Sequence, residues 1–215
     1  MTHSDNPGSL IQKDLALLGL VSAPFFLNDF AFMATETATA WLAADYGSKI
    51  LALALLFGLA PLRQAVAGTA VLPRAPLESV VLTAVCAAFV IAADWLLRSA
   101  VDIEIAALVL FKYPSLDSPI LYWTDITFGL ALTAASEELV FRGLFARLMA
   151  RAFPGAAAMA VASAAFFALI HWSLGVASLA VAFVAGLALM ALYRRTGSLW
   201  PPMAAHYLVN LWDFV

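Results

Sequence analysis

The chain has 215 residues, of which 64% are hydrophobic and 12% are charged, and its formal net charge is −3. This composition excludes a water-soluble globular protein, whose surface would be largely apolar, and a disordered chain, which would be rich in charge. The single cysteine, Cys86, excludes a disulfide framework, and the acidic balance leaves no basic surface for nucleic acid. The sequence therefore predicts a polytopic membrane protein.

Seven stretches approach the roughly 20 mostly apolar residues that a membrane-spanning helix needs. They cover residues 14–33, 49–70, 77–97, 120–138, 155–172, 174–192 and 199–214. The apolar run at 103–112 is too short to span alone, and it forms an eighth, tilted or re-entrant element in the alternative count. We therefore predict an all-α, polytopic transmembrane bundle of about seven spans, or eight with this element, embedded in a lipid bilayer.

The chain divides into three parts. Residues 1–13 form a short polar tail, 14–119 form the N-terminal spans, and 120–215 form a membrane core that carries the chemistry. Polar residues within apolar runs concentrate after the loop at 98–119, which holds two prolines and several charges. We therefore expect the first three spans to contribute little chemistry.

The Lys and Arg residues of the short loops predict the orientation, because they concentrate on the cytoplasmic side. With a cytoplasmic N-terminus, eight fall inside: Lys13, Arg63, Arg74, Arg142, Arg147, Arg151, Arg194 and Arg195. Three fall outside: Lys49, Arg98 and Lys112. The tail at 1–13 is therefore expected in the cytoplasm.

The first unusual polar group is Glu137-Glu138, which follows an apolar run and precedes Arg142. Residues four apart share a helix face, so Glu138 and Arg142 are expected to pair. Glu137 lies about 140° around the helix from Arg142 and points elsewhere. Because ionisable residues inside a membrane are costly, Glu137 is a functional candidate. The alternative is a pair of charges at a helix end in the headgroup region.

Two further polar pairs have the same spacing of four residues. Phe167 and His171 share one face, and His206 and Asn210 share another. The alternatives are an interfacial histidine for the first pair and a simple hydrogen bond across the bundle for the second. Two stripes of small residues predict close helix packing near these pairs. They are Ala160, Ala164 and Ala168, and Ser178, Ala182 and Gly186.

The turn at Pro154-Gly155 relates two of these groups in depth. Glu137 lies 17 residues before Pro154 and His171 lies 17 residues after it, so a simple helical hairpin places both at one depth. His206 lies about a dozen residues after the loop at Arg194 and Arg195. To reach the same depth, either its helix begins deep or the connection at 142–154 extends well outside the membrane.

These residues are sufficient for peptide hydrolysis without a nucleophilic serine or cysteine. An apolar setting disfavours the charged form of a carboxylate, which suits Glu137 to deprotonate an attacking water. Imidazole N–H groups and the Asn210 amide supply donors for the developing oxyanion. One carboxylate and two histidines also make a zinc triad with a water in the fourth place. We expect no cofactor, and zinc, with ligands from three helices, stays open.

Three motifs occur in order on adjacent membrane helices over some 75 residues: Glu-Glu-x-x-x-Arg at 137–142, Phe-x-x-x-His at 167–171 and His-x-x-x-Asn at 206–210. Together they resemble the CPBP family of CAAX-protease and bacteriocin-processing, or abortive-infection, glutamate-type intramembrane endopeptidases. The resemblance covers residues 120–215.

The resemblance implies a role for each motif position. Glu137 is the general base that activates water, and His171 is a second catalytic residue. His206 and Asn210 stabilise the oxyanion. Glu138 and Arg142 orient the site, which agrees with their expected pairing. The resemblance also favours a metal-free mechanism over that of a metalloprotease.

The expected substrate is a membrane-associated peptide or C-terminal tail. Family relatives process prenylated proteins, bacteriocins or sorting tails, and the Ala-rich, Arg-over-Lys usage favours a bacterial inner-membrane protein without prenylated substrates. One alternative is a proton-coupled transporter with a buried Glu/His relay, against which stand the lack of repeats and the concentration of polar residues in one half. The other is a non-catalytic immunity or partner protein, which predicts decayed motifs. The oligomeric state stays open.

Overall fold

The computed structural model describes residues 7–69, 72, 75–100, 109–110 and 112–214. Within these ranges the regular structure is helical, which confirms the all-α prediction. Helix α5 is continuous over 119–148 and includes two π-helical segments. The helices are α1 (Pro7–Met33), α2 (Ala38–Gly58), α3 (Ala60–Val66), α4 (Pro76–Ala100), α5 (119–148), α6 (Ala156–Leu169), α7 (Val176–Thr196) and α8 (Trp200–Trp212).

Four of the described helices are long and apolar enough to cross a membrane: α1, α2, α4 and α7. Helix α6 is apolar but shorter. Large apolar side chains of α4, such as Val81, Val85 and Phe89, are more than half exposed. Such a surface suits lipid rather than water. The chain is an integral membrane protein, and its helical bundle is roughly consistent with the predicted seven or eight spans.

The second span differs from the prediction of 49–70. Helix α2 begins at Ala38 and ends at Gly58. The extended backbone of Leu59 then separates it from the short helix α3. The hydropathy pattern misplaced this span because Asp45 and Lys49 look like loop residues. They form an ion pair within α2, and both are buried. Lys49 is therefore not a loop residue outside the bundle.

Two other predicted segments, the tail at 1–13 and the element at 103–112, differ from the structure or lie partly outside its described residues. Helix α1 begins at Pro7, so part of the predicted tail at 1–13 is helical. Most of the predicted eighth element at 103–112 lies outside the described residues, and the described positions 109, 110 and 112 are not helical.

Consecutive long helices run in opposite directions, which gives the bundle two faces. The N-terminal face holds the start of α1, residues 59–69, the connections at 149–155 and 197–199, and the ion pair between Arg195 and Glu78. The opposite face holds the connections at 34–37 and 170–175, the described residues 109–110 and 112–118, and the end of α8. Across it, the Tyr122 hydroxyl donates to the Phe214 carbonyl.

The small residues of α6 and α7 allow close packing, as their spacing predicts. A Cβ atom at Gly186 would lie 2.8 Å from the Cα atom of Ala164, closer than real Cβ atoms approach a backbone. The two helices therefore touch through their backbones at this point. This approach fixes the position of α6, which carries Phe167 and leads directly into His171.

Candidate active site

The adjacent carboxylates of α5 have different surroundings. Glu137 lines a cavity and is 6% exposed, whereas Glu138 is fully buried and does not line it. Oε1 of Glu138 lies 3.0 Å from Nη1 of Arg142, which is also fully buried. This confirms the pairing that the spacing of four residues predicts, and it confirms that Glu137 points elsewhere.

The Arg142 guanidinium has a second partner that the sequence analysis missed. Its central carbon lies 4.2 Å from the centre of the Phe167 ring, in a cation–π arrangement. The same ring makes edge contacts with the imidazoles of His171 and His206, at 4.9 and 5.8 Å between ring centres. Phe167 therefore packs against a residue from each of the three motifs.

A π-helical segment, Leu139–Leu144, holds Arg142 in place. Its wider turns change the backbone hydrogen bonding of α5, and a side chain from α6 compensates. The Ser163 hydroxyl, fully buried on α6, donates to the Phe141 carbonyl across 2.6 Å. Ser163 thus ties the first motif to the helix of the second motif.

The ring of His206 lies between the two carboxylates. Its Nδ1 is 2.9 Å from Oε1 of Glu138, and because a carboxylate only accepts, Nδ1 carries the hydrogen. Its Nε2 is 3.8 Å from Oε2 of Glu137, a buried atom without a hydrogen-bond partner in the described part of the chain. In neutral His206, Nε2 therefore carries a lone pair and accepts a hydrogen bond. It can donate a hydrogen bond only when the ring is in the imidazolium form.

His171 lies just beyond the end of α6. Its Nδ1 is 3.1 Å from the Phe167 carbonyl, which can only accept a hydrogen bond. Nδ1 therefore carries the hydrogen here too, and the neutral ring has its lone pair at Nε2. This tautomer suits His171 to accept a proton or to orient a water molecule.

One cavity of about 430 Å³ brings the predicted residues together. Glu137, His171, His206 and Asn210 all line it, and they come from α5, the turn after α6, and α8. His206 lies at this depth six residues after the start of its helix at Trp200, whereas α5 continues for eleven residues beyond Glu137, to Leu148.

The N-terminal half also lines this cavity with buried polar residues, although the sequence predicts that such residues concentrate in the other half. Asp29 of α1 and Asp45 and Lys49 of α2 are buried cavity-lining residues. Asp29 accepts a hydrogen bond from the Ser173 hydroxyl at 2.6 Å, and Asp45 pairs with Lys49. The argument that buried polar residues lie in one half, which stood against transport, therefore does not hold.

A second cluster lies where the cavity meets the opposite face. Asp125, in the π-helical segment Asp125–Gly129, accepts hydrogen bonds from the hydroxyls of Tyr46 and Tyr113. Burial, followed by the hydrogen bond to Asp125, raises the pKa of the Tyr113 hydroxyl, which keeps it a donor. The absence of a side chain at Gly129 makes room, because a Cβ there would lie 2.7 Å from the Tyr46 hydroxyl.

Sequence signals for the missed residues differ in strength. Asp45 and Lys49 have the same spacing as Glu138 and Arg142, so a correct boundary for α2 would have revealed the pair. Asp29 follows an apolar run as Glu137 does. Nothing in the local sequence indicates that Ser163 or Tyr113 contacts α5, because both contacts join distant parts of the chain.

For zinc, the donor arrangement is the relevant test. In the described part of the chain, no three His, Cys, Asp or Glu side chains converge on a common point as a metal site. In addition, Nδ1 of His206 is occupied by Glu138, and Nδ1 of His171 is occupied by the Phe167 carbonyl. Of the three proposed ligands, the two Nε2 atoms and the Glu137 carboxylate are left as donors, and their arrangement is not a formed zinc triad.

Comparison with known proteins gives one match. Residues 119–212, from the start of α5 to the end of α8, match the family model described as Type II CAAX prenyl endopeptidase Rce1-like. The searches of the curated proteins and of the solved structures each found no match. The matched segment contains all three motifs, which agrees with their resemblance to the CPBP family. Residues 119–212, somewhat less than half of the chain, are therefore similar to the Rce1-like family of type II CAAX prenyl endopeptidases.

Proposed function

We propose that this protein is a glutamate-type intramembrane endopeptidase that hydrolyses a peptide bond in a membrane-associated peptide or C-terminal tail. The observation that carries the proposal is the position of Glu137. Its buried carboxylate has an oxygen without a hydrogen-bond partner in the described structure, and it lines one cavity with His171, His206 and Asn210. A water molecule in that cavity would have a base on one side and donors on the other.

In the proposed mechanism, Glu137 accepts a proton from water as the water oxygen attacks the scissile carbonyl. The lone pair at Nε2 of His171 orients the water. The negative charge that develops on the carbonyl oxygen is stabilised by the Asn210 amide and by Nε2–H of His206 in its imidazolium form. Glu137 then passes its proton to the nitrogen of the leaving amine as the C–N bond breaks.

Glu138 and Arg142 orient the site without contacting the substrate. Glu138 accepts the hydrogen bond from Nδ1–H of His206 and so fixes the tautomer and the orientation of the neutral ring. Arg142 neutralises the remaining charge of Glu138 and packs on Phe167.

The proposed location is a bacterial inner membrane, with the N-terminus in the cytoplasm. In the described structure Lys49 and Arg142 lie inside the bundle, so neither counts toward the orientation. Of the other described Lys and Arg residues, six lie on or near the N-terminal face: Lys13, Arg63, Arg147, Arg151, Arg194 and Arg195. Two lie toward the opposite face: Arg98 and Lys112. This difference favours a cytoplasmic N-terminal face.

The test of the function is Glu137→Gln, which removes the base and keeps the shape. We expect cleavage to fall about 10²–10⁴-fold while the protein stays folded. Mass spectrometry of membrane-protein termini in the native host compares this variant with wild type and with Glu36→Gln, a change at an exposed glutamate. Uncleaved precursors only in Glu137→Gln support the function, and retained turnover in that variant contradicts the mechanism.

The proposed mechanism is metal-free, and chelation tests this. Purified enzyme is expected to keep its activity after treatment with EDTA and 1,10-phenanthroline. Activity that is lost and then restored by zinc alone would establish the zinc triad of Glu137, His171 and His206 instead.

A proton-coupled transporter is the second candidate, favoured by the ionisable residues that both halves of the chain contribute to the cavity. It predicts proton flux in proteoliposomes that Glu137→Gln abolishes, together with unchanged termini in the native host. A non-catalytic immunity or partner protein predicts neither flux nor a change in termini.

A further inference from the structure

His171 lies on a turn that α6 alone does not hold. Its backbone N–H donates to the Ala168 carbonyl and its Nδ1–H donates to the Phe167 carbonyl, both in the last turn of α6. The chain then leaves the helix, passes through the short 3₁₀ turn Trp172–Leu174, and reaches Gly175 before α7 begins. A ring in an active site keeps one orientation only when the residues around it are held as well. The orientation of His171 therefore depends on what holds this turn.

Ser173 holds the turn through its side chain and its backbone. Its hydroxyl donates to Oδ2 of Asp29 on α1 across 2.6 Å, and its backbone N–H interacts with the same carboxylate. Its carbonyl accepts a hydrogen bond from the Leu110 N–H at 2.9 Å. Ser173 is fully buried and Asp29 is also buried, so these bonds are largely shielded from water. The Asp29 carboxylate thus anchors the chain two residues after His171.

The next residue of α1 contacts the neighbouring residue of the turn. The Phe30 ring packs against the Trp172 ring, with ring centres 5.4 Å apart and planes at 43°. Two consecutive residues of α1, Asp29 and Phe30, therefore contact two consecutive residues of the turn. The hydrogen bond is the directional one of these two contacts, because its strength falls steeply when donor and acceptor are misaligned. The exact position of the turn therefore depends on the Asp29 carboxylate.

A carboxylate at position 29 is costly for the fold. Asp29 lies within α1, which is long and apolar enough to cross a membrane, and an ionisable residue inside a membrane carries a large desolvation cost. Elsewhere along α1, apolar side chains supply the contacts with the bundle, among them Leu18, Val21 and Phe25. Packing of α1 alone therefore does not account for an aspartate at this place.

We propose that Asp29 is a positioning residue, which acts through Ser173 to keep the His171 ring in its Nδ1–H tautomer with the Nε2 lone pair available to water. The inference rests on the proposed function for the role of His171 in cleavage, whereas the state of the ring can be measured without catalysis. In the opposite tautomer, Nε2 carries the hydrogen and no longer accepts a hydrogen bond from the attacking water. Asp29 lies outside residues 119–212, so the N-terminal part of the chain would control the geometry of a motif residue.

Nuclear magnetic resonance of ¹⁵N-labelled histidine tests the state of the ring, since it reports which imidazole nitrogen carries the hydrogen. The protein is placed in phosphatidylcholine bilayers in a His3→Gln background, and added His171→Gln assigns the signals of the remaining histidines. Without further changes we expect one Nδ1–H form of His171. Asp29→Ala and Ser173→Ala should each replace that single form by a mixture of both tautomers, because the released turn no longer holds the ring against the Phe167 carbonyl.

Two variants serve as controls for a loss of stability alone. Asp29→Asn keeps an oxygen that accepts the Ser173 hydroxyl, so it should rescue the single Nδ1–H form. Ser22→Ala removes another buried hydroxyl of α1, which bonds the Leu18 carbonyl of its own helix, and it should leave the His171 signal unchanged.

The double variant Asp29→Ala/Ser173→Ala tests whether the two residues act as one unit. It should have no larger effect than either single variant, because both substitutions remove the same contact. Two results would overturn the proposal. An unchanged His171 signal in folded Asp29→Ala and Ser173→Ala would mean that the contact only holds helices together, and additive effects in the double variant would mean that the residues act separately.

Protein termini in the native host separate this inference from the proposed function. If Glu137→Gln accumulates uncleaved precursors, Asp29→Ala should accumulate the same ones, with cleavage slower by about 10²-fold, and Asp29→Asn should restore cleavage. Normal cleavage by Asp29→Ala would contradict the positioning role. If Glu137→Gln leaves all termini unchanged, the proposed function fails, while the magnetic-resonance result still decides whether Asp29 holds the His171 ring.

Discussion

Two buried ion pairs with the same spacing have different surroundings in this bundle. Glu138 and Arg142 of α5 are fully enclosed, and their partners are His206 and the Phe167 ring. Asp45 and Lys49 of α2 are also buried, but they line the cavity. An enclosed pair can hold a neighbouring residue in one orientation, whereas a cavity-lining pair is available to water and ligands. The spacing of charges along a helix does not distinguish these two uses.

The largest expected effect comes from breaking the enclosed pair. Arg142→Ala leaves the Glu138 charge buried without its cation, which costs about 3–5 kcal/mol. We expect loss of folded protein in detergent, measured by size-exclusion chromatography after heating. The double variant Glu138→Gln/Arg142→Met removes both charges and should recover much of the folded yield. Arg147→Ala, at an exposed arginine, is the control, and equal yields for Arg142→Ala and this control would refute the comparison.

Breaking the cavity-lining pair should cost less. In Lys49→Met, Asp45 keeps its hydrogen bond from Asn28 and can be hydrated from the cavity, so the expected cost is about 1–3 kcal/mol. The midpoint of thermal denaturation in detergent measures it. A cost as large as that of Arg142→Ala would mean that both pairs are enclosed in practice, and the distinction between them would disappear.

The smallest expected effect comes from Ser163, which supports the π-helical segment that carries Arg142. Ser163→Ala removes the hydroxyl that bonds the Phe141 carbonyl in the π-helical segment, for an expected cost of about 1 kcal/mol. Ser99→Ala is the matched control, because its hydroxyl bonds a carbonyl of its own helix at an exposed position. If the two variants have the same denaturation midpoint, Ser163 does not support the segment.

Local patterns predicted much of the fold and part of the site. Apolar runs located most helices, and the spacing of Glu138 and Arg142 predicted their pairing, because both depend on residues close in sequence. The predicted start of α2 was wrong because Asp45 and Lys49 form an ion pair inside the helix. A hydropathy pattern does not take such pairing into account. The contributions of Asp29, Ser163 and Tyr113 could not be predicted, because tertiary packing alone brings them to the site. The catalytic roles of the motif residues stay predictions.

The two π-helical segments of α5 have a consequence for how this helix tolerates insertions and deletions. Each wide turn accommodates one more residue than an α-helical turn, so it absorbs that residue without changing the phase of the side chains beyond it. Deleting one residue from Asp125–Gly129 would make this turn α-helical and leave Glu137 at the cavity. The same deletion within the α-helical stretch 130–136 would rotate Glu137 by about 100° relative to the start of the helix, away from the cavity, although every motif residue remained in the sequence. The two wide turns are therefore the places where the length of α5 can change by one residue.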